Sequence, residues 1–139
     1  MNDSNPWRVS RLDLWINPAF DERLAREPNI ELSVGRHQGD DRQTWHALAN
    51  AHIYQISAAK DELPLQFHAN AALLERCPQL LCVSSTGAGF DTVDVNACTR
   101  AGVAVVSQIG GNSPAVAGMA IGLMLAGSRK IGGCARKQR

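Results

Sequence analysis

The stretch "LLCVSSTGAGFDTVDVNACTRAGVAVVSQ", residues 80–108, decides how the rest of the chain is read. It opens on "LLCVSS" (80–85), an apolar run that reads as a strand with both faces covered. A loop with two glycines one residue apart follows, Gly87 and Gly89. "DVNACTRAG" (94–102) then reads as a short helix that stops at Gly102, and "VAVVSQ" (103–108) as a further strand. Strand, glycine loop, helix, strand is the order of a parallel pair. The unbroken apolar runs 80–83 and 103–106 predict central places in a sheet for both strands.

The same rhythm continues outward. Upstream, strands are predicted over 9–16, 30–35 and 52–58, with helices over 20–27, 41–51 and 66–77. Downstream, "SPAVAGMAIGLMLAGSRKI" (113–131) predicts a long apolar helix. This alternation implies an α/β fold, an open parallel sheet of about five strands with helices on both faces. In such sheets ligands bind beyond the carboxyl ends of the strands. The 87–94 loop sits at that kind of place, and so does "QIGGNSP" (108–114); parallel strands put both on one rim.

Length and composition bound the function. The 139 residues form one domain by length, enough for a sizeable core. A net charge of +1 and 5% aromatic residues argue against nucleic acid or an anionic membrane as a partner. The most apolar stretch, 115–127, falls short of the roughly 20 residues that a span needs. Its Gly118 and Gly122 read as close helix packing. The N-terminus carries no secretory pattern. The cysteines at 77, 82, 98 and 134 have no zinc spacing and read as free thiols of a cytoplasmic protein. No metal site is expected.

The glycine loop carries the chemistry. Without Cβ atoms at 87 and 89 the backbone turns sharply and comes close to a ligand. Successive amides in such a turn form a small concave anion site, suited to a carboxylate or phosphate. Asp91 and Asp94 read as caps of the helix that follows, and Ser113 as the cap of the last helix, with Pro114 in its first turn. Asn112 can present an amide to a ligand. "GAGFDT" is not a dinucleotide fingerprint, since the third glycine is missing. His37, His46, His52 and His68 all precede the loop and read as surface or packing residues.

These residues together resemble the D-isomer-specific 2-hydroxyacid dehydrogenases. That family runs apolar strand, G-x-G-x-D-x-x-D, short helix, A-G-[IV]-x-V, then V-A-E opening a long helix. Gly87, Gly89, Asp91 and Asp94 stand in that order here, followed by Ala101, Gly102, Val103 and Val105, and then Val116 and Ala117. Gly118 replaces the glutamate. The resemblance is close over 77–131; residues 9–76 match in rhythm and length.

The resemblance implies a flavodoxin-like substrate domain over 1–112, an inter-domain and dimerisation helix over 113–131 and an atypical basic tail over 132–139. It implies that the amides of Gly87, Ala88 and Gly89 hold the carboxylate of a small 2-oxo or 2-hydroxy acid. Ala88 and Asn112 are the residues expected to contact the NAD or NADP of the complete family protein. The family's arginine, carboxylate and acid–base histidine have no counterparts here, and no G-x-G-x-x-G occurs among these residues. The expectation is therefore a substrate domain truncated before its nucleotide-binding domain, binding no cofactor and inactive alone, with homodimerisation through the 113–131 helix. The alternative is a non-catalytic interaction or dimerisation module. A phospho-receiver ranks last, because the first strand ends in "WINPAF" without an acidic cluster.

Overall fold

The computed structural model describes residues 5–39 and 42–129. The chain divides into two compact units, 1–108 and 109–139. In the first, five strands form one sheet: β1 (Trp7–Leu12), β2 (Ile30–Gly35), β3 (Ile53–Ser57), β4 (Cys82–Thr86) and β5 (Ala104–Val106). Every pairing is parallel, and the order across the sheet is β2-β1-β3-β4-β5. That is the flavodoxin-like order, with its switch point between β1 and β3. Helices α1 (Ala19–Leu24), α2 (Arg42–Ala49), α3 (Ala71–Arg76) and α4 (Val95–Arg100) lie between the strands.

The central strand is β3. Tyr54, Gln55 and Ile56 are all buried although they alternate between faces, so the sheet is covered on both sides there. The core gathers around Leu48, Tyr54, Ile56, Phe67, Leu73 and Val83. Trp45 stacks on Phe67 with ring centroids 5.0 Å apart, and the Arg76 guanidinium covers the Trp45 ring at 3.4 Å. Cys77 and Cys98 are buried and Cys82 half-buried, all three as free thiols. Burial pushes the Cys77 thiol up to about 11, against the opposing pull of Arg76.

Several expectations are corrected. β5 is an edge strand, not a central one: among the described residues it pairs only with β4, and Ala104 and Val106 are exposed. An apolar run of this length reads the same at the edge as in the middle. β1 ends at Leu12 and not at residue 16, because its ladder runs Trp7–Leu12 against Ile30–Gly35 and stops where β2 stops. The helix expected over 66–77 begins only at Ala71. Asn70 is extended and caps it, its Oδ1 accepting from the Leu73 amide at 3.1 Å. Leu65–Phe67 form a separate 3₁₀ turn.

In the second unit, α5 spans Ser113–Ser128 and is capped by Arg129. Residues 130 and 131 of the expected helix, and the 132–139 tail with Cys134, lie outside the described residues. Ser113 is not the cap of α5: Asn112 holds that position, without a side-chain cap bond. The Ser113 amide reaches back to the Gly110 carbonyl at 3.4 Å, which draws Ser113 into the first helical turn. Among the described residues no helix is long and apolar enough to cross a membrane.

Candidate functional site

The loop after β4 is built by what precedes and follows it. Ser85, fully buried at the end of β4, donates its hydroxyl to the Gly89 carbonyl. Thr92, also buried, donates to the Ser57 carbonyl at 2.6 Å and so ties the loop to the end of β3. The Gln108 amide donates to the Gly87 carbonyl at 2.8 Å, which joins the segments after β4 and β5 on one rim. Beyond the loop, Ala69 bridges Val93 in parallel, with the Ala69 amide on the Thr92 carbonyl and the Asp94 amide on the Ala69 carbonyl, both at 2.9 Å.

These bonds leave the loop with a polarity. The carbonyls of Gly87 and Gly89 are occupied. Among the described residues no hydrogen bond engages the amides of Ala88, Gly89 or Phe90, and all three residues are exposed. Free donors beside engaged acceptors make a local surplus of positive partial charge, which suits an anion. The two glycines have different reasons. Gly87 has φ +96, a conformation that side chains disfavour. Gly89 has no such φ, and a Cβ there would meet only Ala58 Cβ at an ordinary 3.6 Å.

Of the two aspartates, only Asp94 caps a helix. It is extended before α4, and its Oδ1 accepts from the Ala97 amide at 2.9 Å. Asp91 is exposed and makes no cap bond; this corrects the expectation that it caps α4, for the helix starts at Val95 and only the adjacent Asp94 reaches its amides. Asn112 lies in the second unit, at φ −120 and ψ 8. The supporting residues Ser85, Thr92 and Gln108 were not singled out from the sequence. Their signal was faint: polar residues at the end of an apolar strand and beside a glycine loop.

The histidines are elsewhere. His52 precedes β3, at the amino-end rim, where its Nδ1 accepts from the Arg8 amide at 3.1 Å. Its pKa is lowered by burial and by the Arg8 charge. His68 meets the Leu63 carbonyl at 3.1 Å. His37 follows β2, and its ring Nδ1 lies 2.6 Å from Asp13 Oδ1, which also accepts the His37 amide at 2.7 Å. Burial works to raise the Asp13 pKa, but these bonds outweigh it and hold the carboxyl below its usual range. Three strand spacings separate β2 from β4, about 14 Å. His37 is therefore out of reach of anything on the glycine loop. Among the described residues no cluster of histidine, cysteine and acidic side chains is arranged to hold a metal ion.

Comparison with known proteins points one way. The family model for the D-isomer specific 2-hydroxyacid dehydrogenase catalytic domain matches residues 16–130. Over 66 residues the chain is 39% identical to the D-3-phosphoglycerate dehydrogenase of Archaeoglobus fulgidus, a match covering 48% of this chain and 12% of that protein. Over 61 residues it is 36% identical to the hydroxypyruvate reductase of Thermotoga maritima, covering 44% of this chain and 20% of that protein. The solved 2-hydroxyacid dehydrogenase from Ketogulonicigenium vulgare Y25 superposes with a TM-score of 0.71 at 25% identity, over 94% of this chain and 38% of that one. In each case the matched part is well under half of the relative.

Proposed function

Because the chain belongs to the D-isomer-specific 2-hydroxyacid dehydrogenase family, we propose that its glycine loop is a carboxylate cradle for a small 2-oxo or 2-hydroxy acid. The amides at and beside Gly87, Ala88 and Gly89 donate to the carboxylate, and the acid takes part in NAD(P)-dependent interconversion of 2-oxo and D-2-hydroxy acids. The observation that carries this is the polarity of the loop, with the Gly87 and Gly89 carbonyls engaged and the amides of Ala88, Gly89 and Phe90 free. The names of the two relatives, one for 3-phosphoglycerate and one for hydroxypyruvate, support the substrate class.

The nicotinamide cofactor supplies or accepts the hydride. This chain's share would be to bind and orient the acid, with Ala88 on the cofactor side of the loop. Hydride transfer also needs a general acid at the substrate oxygen. The four histidines of the chain all precede the loop in sequence; His52 lies at the opposite rim, His37 three strands away, and the His68 ring is engaged by the Leu63 carbonyl. We therefore assign the 139-residue chain to substrate holding and not to turnover. Helix α5, with the exposed Met119, Ile121, Leu123, Met124 and Leu125 spread round its circumference, fits packing against another folded surface, in a second domain or a second copy.

The test is a titration of the isotope-labelled chain with oxamate, a 2-oxo acid mimic, followed by backbone NMR. The amides of Ala88, Gly89 and Phe90 are expected to shift together and saturably. Shifts confined to lysine and arginine side chains would instead mean non-specific anion binding, and the proposal would fall.

A further inference from the structure

Beside the glycine loop lies a crevice that the loop itself does not explain. It opens at the carboxyl ends of β1, β3 and β4, at the switch point of the sheet, and Thr86 on its wall is the residue before Gly87. Leu14, Trp15, Ile16 and Leu63 supply its apolar wall, and the buried Tyr54 its base. Its inner volume is about 20 Å³. That is room for one water or one methyl group.

The side chains of Arg11, Tyr54, Gln55, Ser57 and Thr86 along it are already partnered. The Gln55 amide donates to Thr86 Oγ1 at 2.8 Å, and the Tyr54 hydroxyl donates to the Phe67 carbonyl at 3.2 Å. Ser57 donates to Glu62 at 3.3 Å. Arg11 is the one cation on the lining, and its guanidinium is held by both oxygens of Asp21 and by the Leu12 carbonyl. A phosphate or a second carboxylate entering here would lose water and gain no free positive partner. A methyl group would lose only unfavourable hydration.

We infer that this crevice receives the side chain of the acid and selects a short, uncharged one over one bearing a phosphate or a second carboxylate, with Trp15 as the specificity-determining wall. This rests on the reading of the glycine loop as the carboxylate cradle. Trp15 is 84% exposed and lines the crevice from outside, without being part of the core.

The experiment titrates the labelled 139-residue chain with glycolate, D-lactate and D-3-phosphoglycerate, which differ in having no side chain, a methyl and a phosphate. All three are expected to shift the Ala88 and Gly89 amides. D-lactate is expected to bind about tenfold tighter than glycolate, the discrimination a single methyl earns in an apolar pocket, and to move the Trp15 indole. D-3-phosphoglycerate is expected to bind no tighter than glycolate. In Trp15→Ala the advantage of D-lactate should vanish while glycolate binding is unchanged. If all three bind equally, or the phosphorylated acid binds tightest, the crevice inference is wrong and the cradle stands. If the advantage of D-lactate survives in Trp15→Ala, the role of Trp15 is wrong. If no acid moves the loop amides, cradle and crevice fall together.

Discussion

Gly87 and Gly89 look equivalent in the sequence, yet only Gly87 is required by backbone conformation. At Gly87, φ is +96. An alanine there is expected to destabilise the chain by about 1–2 kcal/mol through backbone strain and to weaken acid binding by distorting the loop. Gly89→Ala meets only an ordinary contact with Ala58, and its stability is expected to stay within about 0.5 kcal/mol of the parent. Urea unfolding of both variants separates the cases, and equal losses would contradict the assignment. His52 gives a second prediction. Burial and the neighbouring Arg8 lower its pKa below the ordinary 6.5. Between the lowered folded value and 6.5 the unfolded chain binds more protons, so stability rises with pH across that window. The contribution is present above 6.5 and is lost as pH falls through the folded value. His52→Gln should flatten the pH dependence in that window, as followed by the urea midpoint. Asp13 acts lower on the scale. The His37 bonds, outweighing its burial, lower its pKa from 3.8, so its contribution is lost only as pH falls below that value.

Helix starts show how much the sequence reveals about elements and where it falls silent. Periodicity located β2 to the residue, since "IELSVG" spans both the expected and the observed strand. It placed α3 five residues early, because Gln66, Phe67 and Leu73 keep a helical spacing across Asn70. The side chain of Asn70 caps the helix and breaks that spacing, but its capping bond is visible only once Ala69 is seen pairing with Val93 across the fold. The edge position of β5 was illegible for a related reason: apolar content does not report the number of neighbouring strands, and Ala104 and Val106 stay exposed at the edge. The anion site proposed at the glycine loop was suggested by Gly87 and Gly89. The polarity behind that proposal depends on the Ser85 hydroxyl and the Gln108 amide, and the Gln108 bond is tertiary. Capping gives the prediction at this scale. Asn70→Ala and Asp94→Ala each remove one bond to a helix amide, and each is expected to cost about 1 kcal/mol. Asp91→Ala, with no such bond, should be nearly silent in the same unfolding assay.

For the molecule as a whole, the question is what 139 residues can do with the proposed carboxylate cradle. The sheet brings the loop after β4, the end of β3 and the segment after β5 to one rim, which is where the acid is proposed to be held. Orientation alone does not move a hydride. The donor must lie against the substrate carbon, and a proton must reach its oxygen in the same step. His52 is at the opposite rim, bound to Arg8, and His37 is three strands away beside Asp13. The cysteine closest in sequence to the cradle, Cys82, is pushed up by burial and is a poor proton donor at neutral pH. The isolated 139-residue chain is therefore expected to bind the acid and leave NADH unoxidised. The check is NADH absorbance with hydroxypyruvate or glyoxylate in excess, at enzyme concentrations high enough to detect a rate far below one turnover per second. A steady, protein-dependent loss of NADH would show that these residues supply both the cofactor contact and the proton, and the division of labour argued from the loop and the histidines would have to be abandoned.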